Sequence, residues 1–225
     1  MTVHSAADKA GDKRERILSA AERIFARHGF FAAKVSDVAK EAGVADGTIY
    51  LYFKSKDDVL ISLFERRMQQ VNDTLRTAVA KHKSPRDQLR AFIQAYLQLV
   101  HDEPSAAEVL TIELRQSSKF MKEYEIPEFA DFLRLLGGIV SAAQDKGQID
   151  SAIPAHVAAR MIFGMLDELA LAWVLARLPS RFPPQRANNH SVASTAGARP
   201  KKFDIVRAAD WVNTLVMRGL EKESP

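Results

Sequence analysis

From Ser36 to Phe53 the chain reads SDVAKEAGVADGTIYLYF, and the architecture of the whole protein can be read outward from it. Ala39 is small where two helices cross closely, Gly43 can take the positive φ of a tight turn, and Val38, Val44 and Ile49 wedge the pair onto the first helix of the chain. Those offsets suit a helix-turn-helix, whose second helix enters the DNA major groove. They also suit a plain helical hairpin. Upstream, Ile17, Ala21, Ile24 and Phe25 form one stripe on a first helix over 13–28, stopped at His28-Gly29. A second helix follows Ser36, and a third covers 46–53. Ser55 and Asp58 then have the spacing of a capping box at the start of a fourth helix that runs to residue 81.

The same helical period continues outward. It predicts helices over 86–102, 105–118, 127–146, 154–177 and 203–221, broken at Ser84-Pro85, Pro104 and Ile153-Pro154. No run alternates with the period of two that a strand requires. The chain is therefore expected to be all-α: an N-terminal arm and three-helix DNA-binding bundle with the helix-turn-helix over 1–54, then a larger C-terminal helical ligand-binding and dimerisation domain over 55–225. Residues 178–202 hold four prolines and Asn188-Asn189, and read as a mobile basic loop.

Composition narrows the function classes. A chain of 225 residues with 47% hydrophobic residues is long enough for a sizeable core. Zero cysteines exclude thiolate metal sites, Fe–S clusters, cysteine nucleophiles and disulfides, and fit a cytoplasmic location. No export signal is expected, and no apolar stretch approaches the roughly 20 residues needed to cross a bilayer. GxGxxG, P-loop, GxSxG and HExxH patterns are missing, and the histidines do not cluster, so neither an enzyme nor a metal or cofactor site is expected. The net charge of +4 hints at nucleic acid. Its source is local, however: Arg177 to Lys202 holds six basic residues and no acidic one, leaving the other 199 residues at −2. Residues 1–56 carry ten Lys+Arg against seven Asp+Glu, so DNA affinity there depends on a few placed contacts.

Those contacts have candidates. Lys34 and Ser36 at the second helix, the hydroxyls of Thr48 and Tyr52 on the third, and Lys56 at the start of the fourth suit phosphates. Ala45, Asp46, Gly47, Tyr50 and Leu51 occupy positions that suit base edges and thymine methyls.

The run ILSAAERIFARHGFFAAKVSDVAKEAGVADGTIYLYFKSKDDVL resembles the DNA-binding domain of TetR-family transcriptional regulators over about 13–64, with Val59 before Leu60 at its end. The resemblance implies a homodimer that represses genes from a palindromic operator on double-stranded DNA until a small-molecule effector binds its helical body. It places phosphate contacts on Lys34, Ser36, Thr48, Tyr52 and Lys56 and base readout around Ala45 to Tyr50. The runs IELRQSS (112–118) and RMIFGMLDELALAWV (160–174) further resemble the FadR-type regulators of fatty-acid degradation, which implies long-chain acyl-CoA as effector. A drug-responsive efflux repressor is the alternative. A helical lipid carrier, from another class, has no need of the 34–56 segment.

In the body, the helix over 154–177 is apolar on two sides, and so expects burial on both. Met161, Gly164, Met165, Leu171 and Leu175 on one side, with Trp211, Val212 and Leu215 of the last helix, are the candidate dimer interface, a four-helix contact with twofold symmetry. A large monomeric core is the alternative. Glu168 lies within that apolar side and needs a cation, a hydrogen bond or water, with Arg115 a candidate partner and a solvated edge charge the alternative. The candidate ligand pocket is drawn from Phe92, Tyr96, Leu99, Leu110, Leu114, Leu133, Leu136, Ile139, Ile162, Phe163, Leu166 and Trp173, most of which equally suit a plain core. Arg115, Lys119, Lys122 and Arg134 are the cations available for a CoA phosphate.

Overall fold

The computed structural model describes residues 6–114, 127–178 and 201–220, and among them every regular element is helical. Helix α1 (Ala6–His28) begins before its apolar stripe does. Ile17, Leu18, Ala21 and Phe25 are fully buried, and α1 packs against α2 (Val35–Ala42), which leads into α3 (Asp46–Ile49). Helix α3 is shorter than the expected 46–53. The chain still turns helically beyond it: Leu51 N–H donates to Thr48 O at 3.2 Å, and Phe53 N–H to Ile49 O at 2.9 Å.

Helix α4 (Lys56–Val79) opens as its sequence demands: Ser55 Oγ accepts from Asp58 N–H at 3.1 Å, and Asp58 Oδ2 accepts from Lys54 N–H at 2.7 Å. The returning arm thus lands one residue earlier than in the reciprocal box. With 24 residues α4 is about 36 Å long, and it carries the reading bundle on one end and the body on the other. The body adds α5 (Pro85–Asp102), α6 (Pro104–Glu108), α7 (Pro127–Asp145), α8 (Ala155–Arg177) and α9 (Ile205–Gly219). Beyond α6 the expected regular helix is replaced by a π-turn over Val109–Glu113. Residues 115–126 and 179–200 lie outside the described residues, and with them Arg115, Lys119, Lys122 and most of the expected basic loop.

Aromatic rings close the body's core. The Phe132 ring of α7 meets Phe92 at 5.2 Å, Tyr96 at 5.8 Å and Phe163 at 5.4 Å, all edge-on. Edge-to-face pairs add to the ordinary burial of such rings. Helix α8 is apolar on two sides, as its period predicts. Ile162, Leu166, Ala170 and Trp173 are buried within the chain, while Met161 and Leu175 are exposed and Met165 and Leu171 half-buried on the far side. Trp211 and Leu215 continue that outer face on α9. Val212, expected beside them, is instead buried in the chain's own core with Ala208, Ala209 and Val216, because its spacing puts it on the inward stripe of α9.

Candidate DNA-reading surface and ligand cleft

The reading pair is locked onto α1 by backbone and charge. Gly43 has φ +66°, which L side chains rarely adopt, and Val44 N–H reaches back to Ala39 O at 3.0 Å. Arg16 of α1 donates to Ala42 O at 2.8 Å and Gly43 O at 3.3 Å, supplying the carbonyls that the end of α2 leaves free. Arg23 holds Glu41 at 2.7 Å, and this bond keeps the Glu41 carboxyl below its ordinary range. Ala39, Val38 and Ile49 are buried beneath the crossing, as their sizes require.

What remains outside this packing is the candidate DNA surface. Lys34, Ser36, Ala45, Asp46, Gly47, Tyr50 and Leu51 are exposed, and Thr48 and Tyr52 are half-buried with them. Tyr50 is 59% and Leu51 80% exposed on a single chain, large side chains that the fold itself does not use. Lys56 differs from the expectation. Its ammonium donates to Phe30 O at 2.7 Å, Ala33 O at 3.0 Å and Phe31 O at 3.2 Å, and lies 4.6 Å from the Phe30 ring centroid. A cation whose donors are turned into the α1–α2 turn fixes that turn instead of holding a phosphate. Lys54, exposed between Phe53 and α4, is a cation at that edge which sequence reasoning passed over.

In the body, a cleft opens between α4, α5 and the α6/π-turn segment. Val71, Tyr96, Leu99, Val100, Ala106, Ala107 and Leu110 make its apolar walls, and Arg67, Gln70, Thr74, Glu103 and Thr111 its polar ones. Of the expected pocket residues, Tyr96, Leu99 and Leu110 meet here. Phe92, Leu114, Leu136, Ile139, Ile162 and Leu166 are buried core, Leu133 and Phe163 pack half-buried against it, and Trp173 lies elsewhere under the Arg177 guanidinium at 4.3 Å. Arg134 pairs with Asp131 on the surface of α7. Periodicity finds apolar faces; it does not distinguish a face that is filled from one left ajar. In this conformation the cleft holds about 70 Å³, well short of the 300–1,000 Å³ of most ligand pockets. A long-chain ligand must push its walls apart.

The walls are tied to the reading bundle. Arg67 Nε donates to Glu22 Oε2 at 2.6 Å and Nη2 to Glu22 Oε1 at 2.5 Å, while Nη1 reaches Glu103 Oε2 at 2.5 Å and Gln70 Oε1 at 2.9 Å. Burial works against the Arg67 charge, but the bonds and charges of Glu22 and Glu103 outweigh it and raise its pKa. Glu22 belongs to α1 and also meets Arg66 at 3.3 Å. Sequence reasoning missed this fork because its partners are 45 and 36 residues from Arg67.

On the outer face, Met161, Met165, Ile162, Leu215, Val216 and Leu220 line a shallow apolar groove of about 240 Å³. Gly164 and Glu168 are exposed on the same helix, so Glu168 faces solvent on a single chain and is not enclosed within it. Among the described residues no group of His, Asp and Glu has the makings of a metal site, and no helix is long and apolar enough to cross a membrane.

Comparison with known proteins assigns these features to one family. The family model of bacterial regulatory proteins of the tetR family matches residues 17–63, and that of the YsiA-like protein C-terminal region matches residues 64–186. A fatty acid metabolism regulator protein of Bacillus subtilis is 35% identical over 94% of this chain and 97% of its own length. The crystal structure of FadR from Bacillus subtilis in complex with stearoyl-CoA superposes with a TM-score of 0.74 at 30% identity, covering 92% of this chain and 99% of that one. The fatty acid degradation regulator FadR from Bacillus halodurans gives 0.73 at 30% identity over the same shares. The chain belongs to the TetR family of bacterial transcriptional regulators, as a helix-turn-helix DNA-binding protein and not an enzyme.

Proposed function

We propose that this protein is a cytoplasmic homodimeric repressor of fatty-acid-degradation genes, released from a palindromic operator by a long-chain acyl-CoA. The observation that carries the reading is the apolar cleft walled by Val71, Tyr96, Leu99 and Leu110, in a chain that aligns through its body with regulators of fatty acid metabolism. An apolar slot with hydroxyls at its edge suits a ligand with a long hydrocarbon chain and a polar end.

The dimer follows from exposed apolar area. Met161 at 56%, Trp211 at 53% and Leu215 at 63% exposure share the outer face of α8 and α9, and such a patch favours association. Two copies meeting through α8 and α9 about a twofold axis form a four-helix contact and carry two reading surfaces. Successive major grooves lie about 34 Å apart, so a change in the angle between subunits abolishes simultaneous docking. Tyr50, Leu51, Gly47, Ala45 and Asp46 read base edges, and Lys34, Ser36, Thr48 and Tyr52 hold phosphates.

A gel retardation assay with DNA upstream of the protein's own gene, at low salt with and without stearoyl-CoA, tests the reading. A retarded band that stearoyl-CoA abolishes is expected. No band overturns the repressor and favours a carrier; a band indifferent to stearoyl-CoA overturns the effector and favours the efflux alternative.

A further inference from the structure

The cleft and the reading bundle share one buried carboxylate. Glu113 is fully buried at the end of the π-turn, and its Oε2 accepts a hydrogen bond from Phe30 N–H at 2.5 Å. Phe30 lies in the turn between α1 and α2, the same turn whose carbonyls hold the Lys56 ammonium. Leu110 and Thr111, three and two residues before Glu113, line the cleft. One five-residue element therefore forms a wall of the cleft and grips the reading bundle.

That element is wound with π spacing. In the π-turn Leu114 N–H reaches back five residues to Val109 O, and the Thr111 hydroxyl donates to Ala107 O at 2.7 Å. A π-turn holds one residue more than the α-turn it replaces, and such turns recur at functional positions. Tightening to α spacing would turn the end of the element, where Glu113 sits, by up to about 100° around the helix axis. A 2.5 Å hydrogen bond from Phe30 to Glu113 does not survive that rotation. The cleft holds about 70 Å³ as it stands, so a long-chain ligand displaces its walls, the π-turn among them.

We propose that Glu113 is the positioning residue through which occupancy of the cleft sets the DNA-reading pair. With the cleft empty, the π-turn stays in register and the carboxylate holds the α1–α2 turn, keeping α2 and α3 in the arrangement that meets DNA. A ligand that spreads the cleft shifts the π-turn, withdraws the carboxylate and frees the turn. This inference rests on the cleft being the acyl-CoA site.

The test uses the full-length protein and its Glu113→Gln variant, in which a neutral amide oxygen of the same shape replaces the charged acceptor. Operator affinity is measured by fluorescence anisotropy with and without saturating stearoyl-CoA, and stearoyl-CoA affinity by calorimetry without DNA. Weakening the grip should lower ligand-free operator affinity about tenfold, raise stearoyl-CoA affinity, and leave operator affinity at saturation unchanged, so that the release factor shrinks. A role confined to stability would lower the melting temperature with the release factor intact, and that result overturns the proposal. Hydrogen exchange at the Phe30 amide of the wild type gives a second reading that needs no variant: protection should be high in the free protein and fall with stearoyl-CoA. Unchanged protection in a protein that stearoyl-CoA does release from DNA overturns the inference alone. Failure of stearoyl-CoA to bind or release the wild type overturns the functional reading and this inference together.

Discussion

Two glycines four positions apart, Gly43 and Gly47, should respond oppositely to the same added methyl group. Gly43 sits at φ +66°, where an L residue costs about 1–2 kcal/mol. Its added Cβ meets only Arg16 Nη2, at 3.5 Å, which is ordinary van der Waals distance, so the penalty of Gly43→Ala is backbone strain and not collision. Gly47 lies in α3, where an added Cβ meets nothing within 4 Å. Alanine there stabilises the fold by up to about 0.5–1 kcal/mol. At roughly 2–4 °C per kcal/mol for a chain of this size, Gly43→Ala should melt about 2–8 °C lower and Gly47→Ala up to about 4 °C higher. On DNA the order reverses for Gly47. Its open space is the space the operator is proposed to fill, and spoiling the fit to one base pair in each half-site costs about 2–6 kcal/mol in total. Thermal melting by circular dichroism and operator binding by anisotropy separate the two effects. A Gly47→Ala protein that melts normally and binds operator like the wild type would refute the placement of α3 against DNA; an unchanged melting temperature in Gly43→Ala would refute the strain argument.

The outer apolar face predicts that Leu215→Glu yields a folded monomer. One buried leucine is worth about 1.5–3 kcal/mol and twofold symmetry counts it twice, so the dimer should weaken more than a hundredfold, as light scattering after size exclusion would read. An unchanged dimer would move the interface elsewhere. Arg67→Lys keeps the charge but loses the fork on Glu22, and should destabilise the protein by about 1.5–3 kcal/mol in a denaturant melt; no change would mean that the fork does not tie α1 to α4. The Arg23–Glu41 bond predicts an acid effect. Arg23 holds the Glu41 carboxyl below its ordinary 4.5, so the stabilisation is present above that pH and is lost as pH falls through the lowered folded value. Melting temperatures taken from about pH 5 to about pH 3 should fall less steeply in Glu41→Gln than in the wild type, and equal slopes would count against the bond.

The helix-turn-helix was legible in the sequence because its constraints are local and steric. Ala39 must be small, Gly43 must take positive φ, and Val38 and Ile49 must be apolar, whatever else the chain does. The twin apolar faces of α8 were legible for the same reason, since period alone reports them. Three features were not. Lys56 looks like any lysine at a helix start, and its three carbonyl partners lie 23 to 26 residues upstream in a turn whose shape no pattern encodes. The cleft depends on how far α4 stands from α5, so Leu99 lines open space while Phe92, on the same helix, is packed against the Phe132 ring. Val109–Glu113 reads as ordinary apolar helix, and only tertiary packing against α1 and α8 accompanies the surplus residue that makes it a π-turn. Val212 was misplaced for a smaller reason: one helical position separates the inward stripe of α9 from Trp211 on its outer face.

A cleft coupled to the reading surface must show that coupling from either end, because linkage is reciprocal. Operator affinity is measured with and without saturating stearoyl-CoA, and stearoyl-CoA affinity with and without saturating operator. Each ligand should weaken the other by the same factor, within the 5–150-fold range usual for such couplings. Stearoyl-CoA that binds the protein yet leaves operator affinity unchanged would contradict the coupling outright.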